Sequence, residues 1–244
     1  MVKELVYKIR IYGIVKTIYY VLLECQYWLN KLLFKSFSQC GEDLIVDRYF
    51  KHKLKGFYVD IGANDPEKFN NTKKFYDMGW HGILIEPNIH KFDKLKKFRA
   101  NDTVENCGIS CEEGKITFYE IFPDTLSTFS KTTQLEYVAQ GFKLVSTLAV
   151  NVFPLPVILS KHHVEKIDFL SLDTEGYDLN VLASNDWSKY RPKLICIETE
   201  VVENTGDPHE SFAAKNAYML NLGYELLYHG KINSIYKDTH NEGL

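Results

Sequence analysis

Short apolar runs alternate with amphipathic stretches along most of the chain, a pattern typical of repeated strand–helix–strand units. Runs rich in β-branched and aromatic residues predict buried strands, and apolar residues three or four positions apart predict helices. The predicted strands cover residues 56–61, 82–85, 103–107, 146–152, 167–172 and 193–198. The predicted helices cover residues 67–78, 89–99, 155–163, 177–183 and 211–222.

The end of the chain departs from this alternation. Residues 224–228 and 233–236 are β-rich and only a few residues apart, so they predict an antiparallel hairpin. The expected fold is therefore α/β, with a mostly parallel seven-stranded sheet closed by a C-terminal hairpin. Residues 115–121 predict an added hairpin, and residues 122–141, rich in turn residues and without periodicity, predict a lid or substrate loop.

The first 35 residues form a separate segment ahead of the domain expected over residues 36–244. They are apolar and aromatic with interspersed basic residues, which predicts an amphipathic helical extension. Its longest uncharged stretch, residues 17–23, is shorter than the roughly 20 residues that span a bilayer. No small-residue cleavage site follows, so we do not expect a signal peptide. Packing on its own domain, pairing in a homodimer and peripheral membrane contact all remain open.

Composition excludes several classes of protein. The fractions of 45% hydrophobic and 25% charged residues are those of a globular protein. A net charge of -3 gives no overall attraction for nucleic acid, and we expect no nucleic-acid partner. The five cysteines are scattered without a CxxC pair or a nearby histidine, which favours reduced thiols in a cytoplasmic protein over disulfides or zinc.

A strand that ends in a glycine turn carries the first chemical signal. Asp60 lies near the end of the predicted strand, and Gly62 and Asn64 follow that strand. In a doubly wound sheet, ligands bind at the carboxyl ends of the strands, where a glycine lets the backbone approach them closely. Neither a GxGxxG fingerprint nor a GK[ST] ending is present, which argues against a phosphate-cradling loop.

Two further acidic residues end neighbouring strands. Glu86 follows the second strand, and a carboxylate roughly twenty residues after the glycine turn is the usual partner of ribose hydroxyls. Asp173 follows the buried strand at 167–172, ahead of Glu175 and Gly176. Because the carboxyl ends of parallel strands meet at one edge, we expect these side chains to lie together.

Four segments in this order, at residues 37–43, 59–65, 86–87 and 173–176, resemble the FkbM family of methyltransferases. The resemblance covers about residues 36–200 and excludes the N-terminal extension. It implies a Rossmann-like class I fold, S-adenosylmethionine (SAM) as cofactor and, commonly, O-methylation of a hydroxyl on a sugar, glycan or polyketide. Pro66 departs from the family pattern, since glycine is frequent there.

The resemblance also suggests that Gln39, Glu42 and Asp43 line the cofactor pocket, although capping of the following helix by Ser38 explains the same residues. Asn106, after the third strand, and Ser127, in the expected lid, are further candidates. The full expected cofactor set is Gln39, Asp43, Asp60, Gly62, Asn64, Glu86, Pro87, Asn106 and Ser127.

A sugar hydroxyl needs a general base to become a good nucleophile at neutral pH. Asp173 is the first candidate, and His162 or His163 are alternatives that could equally be surface residues at a helix end. Glu175 and Glu198 are expected to bind the sugar or glycan acceptor, with Glu200 as another choice for this role.

Oxygen ligands for Mg²⁺ could come from Asp173, Glu175, Asp178 and Glu198, but a metal-free site is the default expectation. Two other functions stay open at this stage. One is an NAD-type oxidoreductase, which the missing GxGxxG disfavours, and the other is a catalytically silent, membrane-associated scaffold.

Overall fold

The computed structural model describes residues 2–199 and 211–240. Within them the strands are β1 (Phe57–Ile61), β2 (His81–Ile85), β3 (Thr103–Glu105), β4 (Gly108–Ile109), β5 (Gly114–Phe122), β6 (Lys143–Phe153), β7 (Phe169–Leu172), β8 (Leu194–Glu198), β9 (Tyr224–His229) and β10 (Asn233–Asp238). The helices are α1 (Val2–Phe34), α2 (Glu42–Tyr49), α3 (Lys73–Asp77), α4 (Ile89–Phe98), α5 (Lys131–Ala139), α6 (Leu155–Lys161), α7 (Asp178–Ala183) and α8 (Phe212–Asn221).

Seven strands form one sheet in the order β3-β2-β1-β7-β8-β10-β9. All neighbours are parallel except β10, which runs antiparallel to both β8 and β9. This is the Rossmann-like α/β fold that the sequence predicts, including the C-terminal hairpin. The order of strands reverses beside β1, because β2 and β7 flank it, and such a switch point is where ligands bind in open α/β sheets.

Both faces of the large sheet are buried, which explains why its strands are apolar almost throughout. On one face, Ile61 and Leu172 pack with side chains of α6, α7 and α8. On the other face, Tyr58 and Phe169 pack with side chains of α2, α3 and α4. The two cores hold the carboxyl ends of β1, β2 and β7 at one edge.

A three-stranded sheet, ordered β4-β6-β5, forms an insertion above that edge. The stretch over residues 122–141, expected to be a lid or substrate loop, contains a 3₁₀ turn (Asp124–Leu126) and helix α5, which the sequence analysis did not predict. Helix α5 is capped by Ser130, whose hydroxyl accepts the Thr133 N–H. Its periodicity is hidden because Gln134 is buried whereas Leu135 is exposed.

The predicted helix over residues 67–78 is mostly loop, and only α3 is helical. Polar side chains cause the difference because they bind the preceding turn instead of continuing a helix. The Asn70 amide donates to the carbonyls of Ala63 and Asp65, and the Thr72 hydroxyl donates to the Asp60 carboxylate at 2.7 Å. The loop is therefore tied to the end of β1.

The expected helical extension is α1, which has a break at Gly13, where φ is +71°. Among the described residues, no helix combines the length and the apolar character needed to cross a membrane. Helix α1 contacts the domain through Tyr27, Glu24 and Lys31.

Arg99, after α4, is a fully buried cation that joins several elements. Its Nε donates to Asp102 at 2.9 Å, and its two Nη groups donate to Tyr58, Thr72 and Asn70 at 2.8–3.2 Å. These hydrogen bonds therefore link the guanidinium to the sheet and to the loop that follows the glycine turn.

We predict that Arg99→Ala lowers the free energy of unfolding by about 3–5 kcal/mol, because Asp102 would remain buried without its cation. Urea denaturation followed by circular dichroism measures the change. Arg48→Ala, on the exposed side of α2, is the matched control and should cost less than about 0.5 kcal/mol. Equal urea concentrations at the midpoint of unfolding for the two variants would contradict the role given to Arg99.

Candidate active site

The glycine turn draws the ends of three strands together. Gly62 has φ +82°, and a Cβ atom built on it would lie 1.8 Å from the Asp173 carbonyl oxygen after β7. Its N–H donates to the carbonyl of Ile85, the last residue of β2, at 3.0 Å. No side chain fits at this position, so glycine is required where β1, β2 and β7 meet.

Asn64 lies just beyond the turn in a left-handed conformation, with φ +48°. Its Oδ1 atom is buried and accepts no hydrogen bond from the residues that the structure describes. A buried acceptor without a donor is costly, so this atom is a candidate contact for a ligand that carries an N–H or O–H group.

Asp60 lies beneath the turn and is buried. Its Oδ2 accepts from the hydroxyl of Thr72 at 2.7 Å and from the amide of Asn70 at 3.3 Å. Burial raises the pKa of Asp60, although both hydrogen bonds oppose the shift. Asp60 therefore holds the loop that follows Asn64 against the end of β1.

Glu86 ends β2 with a buried carboxylate. Its two oxygens accept from the backbone N–H groups of Asn64 and Asn88, both at 2.8 Å. Burial raises its pKa to about 7. The amide of Asn106 donates to the carbonyls of Glu86 and Pro87 at 2.9 and 3.0 Å, so these three expected cofactor residues do lie together.

Asp43 is fully buried and organises the loop before α2. Its carboxylate accepts from the hydroxyls of Ser36 and Ser38 and from the N–H of Phe37. The Ser38 hydroxyl also accepts the Asp43 N–H, as in the helix-capping alternative. Gln39, which is partly exposed, lies in the loop that Asp43 holds.

Three carboxylates converge at the carboxyl edge between β7 and β8. One oxygen each from Asp173, Glu175 and Glu198 lies within 4.8 Å of the others. Desolvation raises the pKa of Asp173 to about 7 and that of Glu198 well above its usual value, and neighbouring negative charges add to both shifts. A hydrogen bond joins Asp173 and Glu198. Both carboxyl groups therefore ionise less readily than exposed ones.

Asp178, an expected alternative oxygen ligand, is used in another way. One of its oxygens accepts from the N–H and hydroxyl of Thr174 at 3.0 and 2.6 Å. The other pairs with the buried ammonium of Lys215, which also donates to the main-chain carbonyl of Glu198 at 2.8 Å. Asp178 and Lys215 therefore form a buried ion pair behind the three carboxylates.

The insertion is fastened to the carboxylate cluster through Glu175. The hydroxyl of Tyr137, on α5, donates to the Glu175 carboxylate at 2.5 Å, and the Thr128 hydroxyl donates to the Glu175 carbonyl at 2.7 Å. Burial is the main cause of the raised pKa of Tyr137, so its phenol stays protonated and serves as a donor.

A second attachment lies beside Glu86. The amide of Asn88 donates to Glu120 of β5 at 2.5 Å, and Lys91 pairs with Asp124 at 2.7 Å. Ser127 stabilises the turn between these contacts, because its hydroxyl accepts the Ile121 N–H at 3.1 Å. The insertion is thus attached on both sides of the glycine turn, at Glu175 and beside Glu86.

The grouping of His163 with Asp173 as catalytic residues is not supported. His163 is exposed on the turn after α6, and the adjacent His162 pairs with Glu105 of β3. Since β3 lies three strands from β7, about 14 Å separates the two strands. In the sequence, His163 lies only four residues before the strand predicted at 167–172. No local pattern reveals that the adjacent His162 contacts a strand on the far side of β1. Glu200 lies outside the described residues.

Sequence reasoning missed two residues of the site. Tyr137 was not recognised because the sequence analysis predicted a loop in the region that forms helix α5. Lys215 was detectable, because it lies four residues before the buried Met219 on the core side of α8, and a lysine in that position needs a buried acidic partner.

The family model of the FkbM methyltransferase domain matches residues 60–226. Among solved structures, a 1,6-didemethyltoxoflavin N1-methyltransferase of Burkholderia thailandensis, solved with 1,6-didemethyltoxoflavin and S-adenosylhomocysteine, is 9% identical with a TM-score of 0.44, over 81% of this chain and 76% of that one. A TehB-like SAM-dependent methyltransferase of Corynebacterium glutamicum is 10% identical with a TM-score of 0.43, over 88% and 96%. No curated protein matches the chain.

We predict that Gly62→Ala weakens S-adenosylhomocysteine binding about a hundredfold or more, because a methyl group cannot fit against the Asp173 carbonyl. Titration calorimetry measures the change. Gly114→Ala is the matched control, since a Cβ there meets nothing within 4 Å. Unchanged affinity in Gly62→Ala would show that the ligand binds elsewhere.

Proposed function

Since the chain belongs to the FkbM family of SAM-dependent methyltransferases, we propose that it methylates a hydroxyl group of a sugar or glycan. The family assignment removes the alternative of an NAD-type oxidoreductase. The observation that carries the proposal is the cluster of Asp173, Glu175 and Glu198 beside the glycine turn. Carboxylates are the side chains best suited to accept hydrogen bonds from several hydroxyl groups at once.

The residues around Gly62 suit SAM. When bound, SAM supplies a methyl group on a sulfonium, which needs no further activation. The unpartnered Oδ1 of Asn64 can accept from an amino group, and the Glu86 oxygens keep lone pairs for two ribose hydroxyls. We assign Pro87 and Asn106 to the adenine side, and Gln39 and Ser127 to the rim of the pocket.

The chain's task is then to orient the acceptor and remove its proton. Holding two reactants in line can lower a barrier by about 7 kcal/mol or more. Asp173 is the proposed base, because a pKa of about 7 is well matched to proton transfer at neutral pH. Glu175 and Glu198 hold neighbouring hydroxyls, and Tyr137 steadies Glu175 from the lid.

Labelled methyl groups provide the direct test. The protein and methyl-labelled SAM are incubated with envelope glycans from the producing cells, and the sugars are then hydrolysed. A labelled methyl ether that survives mild alkali supports the proposal. Label released as methanol would indicate a carboxyl ester, label on nitrogen would indicate an amine acceptor, and binding of SAM without transfer to any fraction would favour the silent scaffold.

We predict that Asp173→Asn lowers kcat about 10²- to 10⁴-fold, the usual worth of a general base. The wild-type rate should rise with pH up to about 7, because only the ionised carboxylate accepts the proton, and the variant should lose this dependence. Asp186→Asn, in an exposed turn, is the control. A wild-type pH profile in Asp173→Asn would assign the base to another group.

Mg²⁺ is the alternative occupant of the three carboxylates, which would hold it through one oxygen each. We favour a metal-free site, because the raised pKa values of Asp173 and Glu198 limit the negative charge of the cluster and the nearby Lys215 ammonium balances part of it. Full activity is therefore expected after dialysis against EDTA. Activity that is lost and then restored by Mg²⁺ would reverse this choice.

The five cysteines are free thiols in the structure, and we place the protein in the cytoplasm, consistent with reduced cysteines.

A further inference from the structure

Helix α1 exposes a continuous apolar surface. At about 100° of rotation per residue, the side chains that form this outer face project within an arc of about 120° and therefore lie on one side of the helix. They include Ile14, Ile18, Leu22, Trp28, Leu29 and Leu32, all of them more than half exposed. The face extends for about 28 Å along the helix axis.

The opposite side of α1 is attached to the domain. Tyr27 is buried and packs edge-on against Phe69, with ring centroids 5.0 Å apart. Lys31 pairs with Glu67, and Glu24 pairs with Lys68. These partners belong to the loop that follows Asn64, so α1 lies next to the cofactor edge of the sheet. A helix with apolar residues on both sides normally has both sides covered.

Charge indicates what covers the outer face. Residues 1–35 carry six basic and two acidic residues, a net charge of +4, whereas the whole chain carries -3. The remainder therefore carries -7, and the positive charge is concentrated on the segment that bears the exposed apolar face. Between residues 17 and 30 the only charged side chain is Glu24, which faces the domain.

We propose that the outer face of α1 binds an anionic lipid bilayer, with the helix lying in the plane of the membrane interface. Basic segments with a wide apolar face bind such surfaces through burial and electrostatic attraction together. A second copy of the chain suits this face less well. Two segments of charge +4 repel each other. Ile14 and Trp28 are apolar, although they lie beside the heptad seam of Ile18, Leu22, Leu29 and Leu32, where a paired helix normally carries charges that select its partner.

The position of α1 has a consequence for the substrate, which rests on the proposed function. Because α1 is fixed to the loop beside Asn64, a helix bound to the bilayer holds the cofactor edge at the lipid surface. The acceptor that reaches Asp173 would then be a saccharide linked to a lipid, with its sugar in water and its anchor in the same bilayer.

Vesicle flotation with the full chain tests the lipid partner. The protein should float with phosphatidylcholine vesicles that contain phosphatidylglycerol, bind pure phosphatidylcholine at least tenfold less, and detach as salt increases. The double variant Leu22→Glu, Leu29→Glu should lose at least tenfold in binding. Leu54→Glu, Leu220→Glu makes the same chemical change at exposed leucines elsewhere and should bind like the wild type.

S-adenosylhomocysteine affinity and melting temperature are measured on the wild type and both double variants, so that failure of lipid binding can be distinguished from failure of the active site. Wild-type protein that does not float, or a Leu22, Leu29 variant that floats normally, would overturn the proposal. So would a wild-type dimer, seen by light scattering, that this variant dissociates, because a second copy would then cover the face.

Cys25, exposed among the outer-face residues, reports the orientation directly. It is labelled with an environment-sensitive fluorophore in a protein that carries Cys40→Ser and Cys111→Ser. Anionic vesicles should shift its emission to the blue. The same dye on the exposed Cys111, with Cys25→Ser and Cys40→Ser, should not shift. Equal responses at the two positions would exclude α1 as the membrane-binding element.

Discussion

The close approach of β1 and β7 at Gly62 is the constraint on which the site depends. The Asp173 carbonyl occupies the space where any other residue would place a Cβ, so the two strand ends meet backbone to backbone. This contact brings the buried carboxylate of Glu86, on the β2 side, and the carboxylates beyond β7 to one edge of the sheet. The electrophile and the acceptor can then bind at adjacent positions.

The close approach at Gly62 is held in place by a network of buried polar side chains. The loop after Gly62 is held by hydrogen bonds of Asn70 and Thr72 to Asp60, and the Arg99 guanidinium binds both of these side chains from below. Buried networks of this kind stabilise a structure only when every member is satisfied. The turn that faces the ligand is therefore linked to the sheet by directional bonds, and α1 packs against the outside of the same loop.

Local patterns predicted the strand ends because a buried strand followed by an acidic residue is visible in a few consecutive positions. Glu86 and Asp173 were found in this way, together with the C-terminal hairpin. Helix α5 was missed because the polar residues Thr133 and Gln134 are buried whereas Leu135 and Val138 are exposed, which obscures the usual pattern. His163 was grouped with Asp173 because separation across a sheet depends on topology, and no local pattern reveals it.

Two carboxyl groups of raised pKa, the buried Glu86 and the partly buried Asp173, lie on either side of the glycine turn. A positive charge between such groups lowers the pKa of both, whereas a neutral molecule does not. Binding of a sulfonium there would therefore favour ionisation of Asp173, the proposed base. A neutral sulfur would no longer lower the pKa of Asp173, so the proposed base would keep a proton that it takes from the acceptor. Desolvation of these two carboxyl groups would thus couple formation of the base to the presence of the methyl donor.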